Sequence, residues 1–83
     1  MIYLIFTTEG FNEAKAIILE DEADLWVNDD VLSNAQRDEL SAANINVNIL
    51  PENANPKNEK SVLSALKHVE QQVPKTEIFV EYL

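Results

Sequence analysis

Residues 2–6, with the sequence IYLIF, decide the fold of this 83-residue chain, and the polar residues Thr7-Thr8-Glu9-Gly10 follow them directly. An apolar run without a polar face is typical of a strand that is covered on both sides. The polar residues and Gly10, which is the only glycine in the chain, indicate a turn into a helix. The segment therefore predicts a strand at the centre of a sheet, followed by a helix.

Three more short apolar runs, at residues 25–27, 45–50 and 78–82, alternate with stretches that carry apolar residues at helical spacing. Strands that are separated by helices pair in parallel, because a parallel neighbour is reached only through a crossover. We predict a single α/β domain over residues 1–83, with three layers and the order β-α-β-α-β-α-β. Its four-stranded sheet is mostly parallel, and the last strand can run in either direction.

The third and fourth strands alternate between apolar and polar residues, so each is apolar on one face only. Right-handed crossovers in the flavodoxin-like strand order 2-1-3-4 place the first helix alone on one face of the sheet. One helix cannot cover four strands, so this order leaves the polar sides of strands 3 and 4 open on the same face. We predict the order 2-1-3-4 and one solvent-facing interaction surface, formed by Asn46, Asn48, Glu77, Phe79 and Glu81.

The composition narrows the classes of partner. Fifteen acidic and six basic residues give a formal net charge of −9, which disfavours binding to nucleic acid phosphates and to anionic lipids. The chain has no cysteine and no apolar stretch near the length of a membrane span. We expect a cytoplasmic protein that is complete from Met1, has no leader or membrane partner, and binds another protein or itself.

Three carboxylates mark a candidate metal site. Glu9 follows the first strand, and Asp29 and Asp30 follow the second. In an open parallel sheet, ligands bind beyond the carboxyl ends of the strands, where the loops of neighbouring strands meet. Because Mg²⁺ prefers oxygen ligands and tolerates one or two carboxylates with water, Glu9, Asp29 and Asp30 are the candidate ligands.

The segment IFTTEG at residues 5–10, followed by EAKAI at residues 13–17, resembles the opening motif of toprim domains. In that family a glutamate and a glycine follow the first strand and open a helix, and a later Asp-x-Asp completes the site. The resemblance implies magnesium-dependent chemistry on nucleic acid, with Glu9 as the matching glutamate. Asp29 and Asp30 depart from the family pattern because they are adjacent.

The functional prediction is a non-enzymatic module for protein–protein contact or self-association, without a cofactor. A single glycine cannot form a phosphate-binding loop, and the only histidine, His68, lies off the apolar stripe of its helix. Two alternatives stay open. One is a toprim-like magnesium enzyme, or its inactive relic, that uses Glu9 with Asp29 and Asp30. The other is an acidic mimic of nucleic acid, which the net charge alone supports.

Overall fold

The computed structural model describes residues 1–81 and confirms the three-layer α/β architecture. The elements are β1 Ile2–Ile5, α1 Thr8–Asp21, β2 Asp24–Val27, α2 Asn34–Ala42, β3 Val47–Ile49, α3 Glu59–Gln72 and β4 Ile78–Val80. Tyr82, which the sequence placed at the end of the last strand, lies outside the described residues. None of the helices within residues 1–81 is both long enough and apolar enough to cross a membrane.

The sheet has the strand order β3-β2-β1-β4, and all neighbouring pairs are parallel. The last strand is therefore parallel, but the predicted order 2-1-3-4 is wrong. After β2 the chain continues outward to β3, and α3 then carries it back across the sheet to the far side of β1. Both orders place β1 in the interior, which is why the apolar segment at residues 2–6 did not distinguish them.

The corrected order changes which helices share a face. Crossovers from β1 to β2 and from β2 to β3 run in the same direction, so right-handed connections place α1 and α2 together. On this α1–α2 face, Phe11, Ile18 and Leu40 of the helices pack with Leu25 and Val27 of β2. On the opposite α3 face, a second apolar cluster forms between α3 and the inner strands; it contains Ile2, Leu4, Phe6, Ala65 and Val69.

Each outer strand is left open on one side. β4 lies beyond α1 on the α1–α2 face, and Phe79 of β4 is 41% exposed. β3 lies beyond α3 on the α3 face, where Asn46 is exposed and Asn48 is half-buried. The polar sides of these strands are uncovered by helices, but they lie on opposite faces of the sheet.

Local sequence signals fix the ends of the helices. Ser33 and Gln36 form a capping box at the start of α2. Asn44 has the left-handed backbone expected after this helix, with a φ angle of 63°. Helix α3 begins after Asn58, whose side chain accepts a hydrogen bond from the Ser61 N–H.

Candidate functional site

The strand order divides the predicted interaction surface into two parts. Asn46 and Asn48 lie at the β3 edge on the α3 face, whereas Glu77, Phe79 and Glu81 lie at the β4 edge on the α1–α2 face. β2 and β1 separate the two edges. These five residues therefore do not form one continuous surface.

The part at the β4 edge contains an aromatic pair, in which Phe79 is exposed and Tyr3 is half-buried. Phe79 is the register partner of Tyr3 on β1, and the two rings stack with centroids 5.1 Å apart and an interplanar angle of 21°. The rings border a groove of about 300 Å³ between α1 and the edge of the sheet. We call it the Phe79 groove; it is lined by Tyr3, Ile5, Gly10, Glu13, Ala14, Phe79, Val80 and Glu81.

Negative charge surrounds this aromatic pair. Burial raises the pKa of the Tyr3 hydroxyl above its ordinary value of 10.0, and the carboxylates of Asp21 and Glu77 raise it further. Glu13 contributes another carboxylate to the lining of the groove. The groove thus combines an apolar floor with an acidic rim.

Glu81 closes one end of the groove by binding the start of α1. One carboxylate oxygen accepts hydrogen bonds from the main-chain N–H groups of Phe6 at 2.7 Å and Thr7 at 3.0 Å. The other oxygen accepts a hydrogen bond of 2.6 Å from the Thr7 hydroxyl, which in turn accepts one from the Gly10 N–H. These bonds join the end of β4 to the N-terminus of α1.

This position is the one where an open parallel sheet would bind an anionic ligand. The order of the strands reverses between β1 and β4, and free N–H groups and the helix dipole attract negative charge at the start of α1. The carboxylate of Glu81 occupies that position. Gly10 leaves the space for it, because a β-carbon at residue 10 would overlap with the Glu81 carboxylate.

The three predicted metal ligands follow the paired strands β1 and β2: Glu9 lies in the first turn of α1, and Asp29 and Asp30 lie in the turn after β2. The carboxylate of Asp29 accepts a hydrogen bond of 2.8 Å from the Asn53 side chain, and its main-chain N–H donates one to the same side chain. Within residues 1–81, no group of three or more His, Asp or Glu side chains could hold a metal ion. The magnesium site at Glu9, Asp29 and Asp30 gains no support from this geometry and stays a prediction.

Asn28, beside this acidic pair, has a structural role that the sequence did not reveal. Its side chain is 4% exposed and donates hydrogen bonds to the carbonyls of Phe6 at 3.1 Å and Ala54 at 2.8 Å. It also accepts a hydrogen bond of 2.6 Å from the Ala54 N–H. Asn28 therefore fixes the ends of β1 and β2 to the β3–α3 loop. The only sequence signal is an amide directly after the buried Val27.

The open side of the α3 face carries the second aromatic contact. Trp26 of β2 meets His68 of α3 edge to face, with ring centroids 5.5 Å apart. His68 is half-buried, although it lies off the apolar stripe of its helix. The imidazole therefore extends the cover that α3 gives to Trp26.

Comparisons of the chain with models of protein families, with curated proteins and with solved structures found no significant match.

Proposed function

We propose that this protein is a non-enzymatic interaction module that binds a cationic segment of another protein in the Phe79 groove. The observation that carries the proposal is the stacked Tyr3–Phe79 pair, which lies on the open side of β4 with Phe79 41% exposed. A rigid aromatic side chain next to a groove is a typical anchor of protein interfaces, where a few aromatic residues contribute most of the binding energy.

The charge of the groove supports a basic partner. Glu13, Asp21 and Glu77 lie around the aromatic pair, and the whole chain carries a formal charge of −9. A second copy of the chain would bring like charges together at this groove, which costs binding energy. A segment with Lys or Arg beside apolar side chains would match both the rim and the floor.

The start of α1 supports a role without catalysis. Glu81 fills the position at which a parallel sheet of this order would bind a phosphate or another anionic ligand. An anionic substrate would have to displace a carboxylate that accepts three hydrogen bonds. The side of the groove away from Glu81 stays free for an apolar and cationic partner.

A titration with a designed peptide tests the proposal. The probe is an amphipathic peptide of Lys and Leu, added to isotopically labelled protein while backbone amide shifts are recorded. We expect shifts concentrated at Tyr3, Ala14 and Phe79, and an affinity that falls as salt is added, because the rim charges are screened. A peptide with Glu in place of Lys should produce no such shifts.

Two variants decide whether Phe79 is the anchor. Phe79→Ser should weaken peptide binding about tenfold or more, which corresponds to about 1.4 kcal/mol. Leu63→Ser is the matched control, because Leu63 is 54% exposed on α3, away from the groove. Equal affinities for the two variants, or shifts spread evenly over all acidic residues, would contradict the proposal and indicate unspecific charge attraction.

A further inference from the structure

We infer that the edge of β3 is a second interaction surface, at which two copies of this chain pair their β3 strands antiparallel and form a continuous eight-stranded sheet. This surface is separate from the Phe79 groove, which lies at the opposite edge. Three features of the described residues carry the inference: the charge pattern around β3, the direction of its main-chain groups and the register that they select.

The charge pattern sets β3 apart from the rest of the molecule. Residues 40–51 form the longest stretch without Asp, Glu, Lys or Arg in a chain that is 25% charged. Proteins commonly protect edge strands from pairing with charged side chains, proline or bulges. The other edge strand, β4, is flanked in sequence by Glu77 and Glu81, whereas the residues that flank β3 in sequence are uncharged. The carboxylate beside β3 is Asp24 of β2, which accepts a hydrogen bond of 3.2 Å from the Asn46 side chain. For a chain of charge −9, this edge is where a second copy meets the least repulsion.

The main chain of β3 offers hydrogen-bonding groups to a new neighbour. The Asn46 carbonyl accepts a bond from Leu25, and the Leu50 N–H donates one to Val27, so the even-numbered residues face β2. By alternation, the N–H and C=O groups of Val47 and Ile49 point away from the sheet. The N–H of Ile45 is already bonded to the Leu40 carbonyl at 2.9 Å, which leaves the Ile45 carbonyl.

These groups select one register about a two-fold axis. If Val47 faces Val47 of the second copy, these residues exchange two hydrogen bonds, and each Ile49 N–H donates to an Ile45 carbonyl that is still free. A register centred on Ile49 would place Pro51, which has no N–H, opposite Val47. The same axis makes the contact self-complementary and closes it at a dimer.

The side chains agree with this register. Opposite residues of an antiparallel pair project to the same face, so Ile49, which is 36% exposed, would face Ile45 on the α1–α2 face. Asn46 would face Asn48 on the α3 face and keep the hydrogen bond that its amide donates to Asp24. The nearest carboxylate on this face, Asp24 of β2, would lie about 14 Å from its copy, beyond the screening length of about 8 Å at physiological salt.

Sedimentation equilibrium of the full chain, from low micromolar to near-millimolar concentration, tests the inference. We expect a monomer–dimer equilibrium that shifts toward the dimer as salt screens the net charge, opposite to the salt response of the Lys–Leu peptide. Ile49→Lys should weaken the dimer about tenfold or more, whereas Leu63→Lys, the same change at an exposed residue of α3, should not. Phe79→Ser should leave the dimer intact.

A second pair of experiments separates loss of pairing from loss of fold. Val47→Pro removes only an N–H that points out of the sheet, so it should abolish the dimer while the far-ultraviolet spectrum is kept. Because the chain has no native cysteine, a mixture of Asn46→Cys and Asn48→Cys proteins should form a mixed disulfide faster than either variant alone. A monomer at every concentration, growth beyond a dimer, or a dimer unaffected by Ile49→Lys and Val47→Pro would overturn the inference.

Discussion

Gly10 and Glu81 depend on each other although they lie near opposite ends of the chain. Gly10 sits in the first turn of α1, where the Glu81 carboxylate occupies the space of a β-carbon. The carboxylate accepts hydrogen bonds from the N–H groups of Phe6 and Thr7 and from the Thr7 hydroxyl. A side chain at residue 10 would have to displace the carboxylate and break these bonds.

The substitution Gly10→Ala should therefore destabilise the protein, by about 1–2 kcal/mol, because charge-assisted hydrogen bonds are lost. In a Glu81→Ala background the sign should reverse. There the three atoms nearest to the added methyl group, all from the Glu81 carboxylate, are absent, and alanine favours a helix over glycine by about 0.5–1 kcal/mol. Urea unfolding of the four proteins of this cycle measures both effects, and a change of the same sign in both backgrounds would contradict the contact.

The raised pKa of Tyr3 predicts that the protein loses stability at alkaline pH. Its folded-state pKa lies above 10.0 because of burial and of the charges on Asp21 and Glu77. The native state thus retains the phenolic proton when the unfolded chain has lost it, so this stabilisation is complete below pH 10 and is lost as pH rises through the folded-state pKa. The Tyr3→Phe variant has no hydroxyl at residue 3 to ionise, so its unfolding free energy should fall less between pH 9 and pH 11 than that of the native protein.

The comparison of the two proteins by urea unfolding at each pH isolates Tyr3, because the two proteins share every other ionisable group. Identical pH slopes would show that the hydroxyl of Tyr3 ionises as readily in the folded protein as in the unfolded chain. Glu77→Gln in the native background should reduce the alkaline effect, since it removes one of the charges that raise the pKa.

Sequence reasoning identified Glu81 as part of an open strand face but did not identify its bonds to Phe6 and Thr7. Local patterns such as Ser33 with Gln36 are readable, because both partners of that cap lie within one helical turn. The cap of α1 draws a second partner from the end of β4, and no spacing rule links residues so far apart. The structural role of Asn28 was not predicted for the same reason, since its hydrogen-bond partners Phe6 and Ala54 lie far from it in sequence.

At the scale of elements, the alternating residues of β3 and β4 correctly predicted that each strand is open on one side. They did not predict on which face of the sheet each open side lies. Period-two alternation separates the two sides of one strand, but it does not relate Asn48 on one strand to Phe79 on another. That relation depends on the direction of each crossover, and β1 is interior in the orders 2-1-3-4 and 3-2-1-4 alike. The sequence thus predicts that each of the two strands has an open side, but it does not predict that the two open sides lie on opposite faces of the sheet.

Two local features at the C-terminal end of α1 are unfavourable. Glu22 follows the helix with a left-handed φ of 52°, a conformation that costs non-glycine residues roughly 1–2 kcal/mol. Its carboxylate, like those of Glu20 and Asp21, also lies at the end of the helix where the dipole disfavours negative charge. No basic residue occurs in the last turn of α1 to offset this.

The substitution Glu22→Gly should raise the unfolding free energy by about 1 kcal/mol, as the relief of backbone strain outweighs the greater flexibility of glycine in the unfolded chain. Glu22→Ala is the control, because it removes the charge but keeps the β-carbon, and it should give only a few tenths of a kcal/mol. Thermal and urea unfolding distinguish the two. An equal gain from both variants would assign the effect to charge alone.

At the scale of the whole molecule, the three helices within residues 1–81 cannot cover both faces of the four strands. The two uncovered sides lie at opposite edges and on opposite faces, and they differ in chemistry. The β4 side has an aromatic pair with an acidic rim, whereas the β3 edge has amides and aliphatic residues without charge. A dimer through β3 would leave a Phe79 groove at each outer edge, so the two proposed contacts are compatible.

The net charge of −9 predicts that the monomer becomes more stable as salt is added. Within residues 1–81 one ion pair, between Lys15 and Glu39 at 2.6 Å, joins opposite charges, so repulsion among the remaining carboxylates is poorly compensated. Raising salt from about 0.1 M to about 1 M shortens the screening length from about 10 Å to about 3 Å. We expect the unfolding free energy of the monomer to rise by on the order of 1 kcal/mol.

A charge-reduced variant separates this effect from the general influence of salt on apolar groups. Replacing the exposed Glu20, Glu52 and Glu70 with Gln changes the net charge from −9 to −6 and leaves both proposed surfaces intact. Because repulsion scales with the square of the net charge, the salt response should fall to roughly two fifths. Urea unfolding in the Ile49→Lys background keeps dimer formation out of the comparison. The added lysine makes the net charge of both proteins less negative by one. Equal salt responses would assign the stabilisation to apolar burial instead of charge.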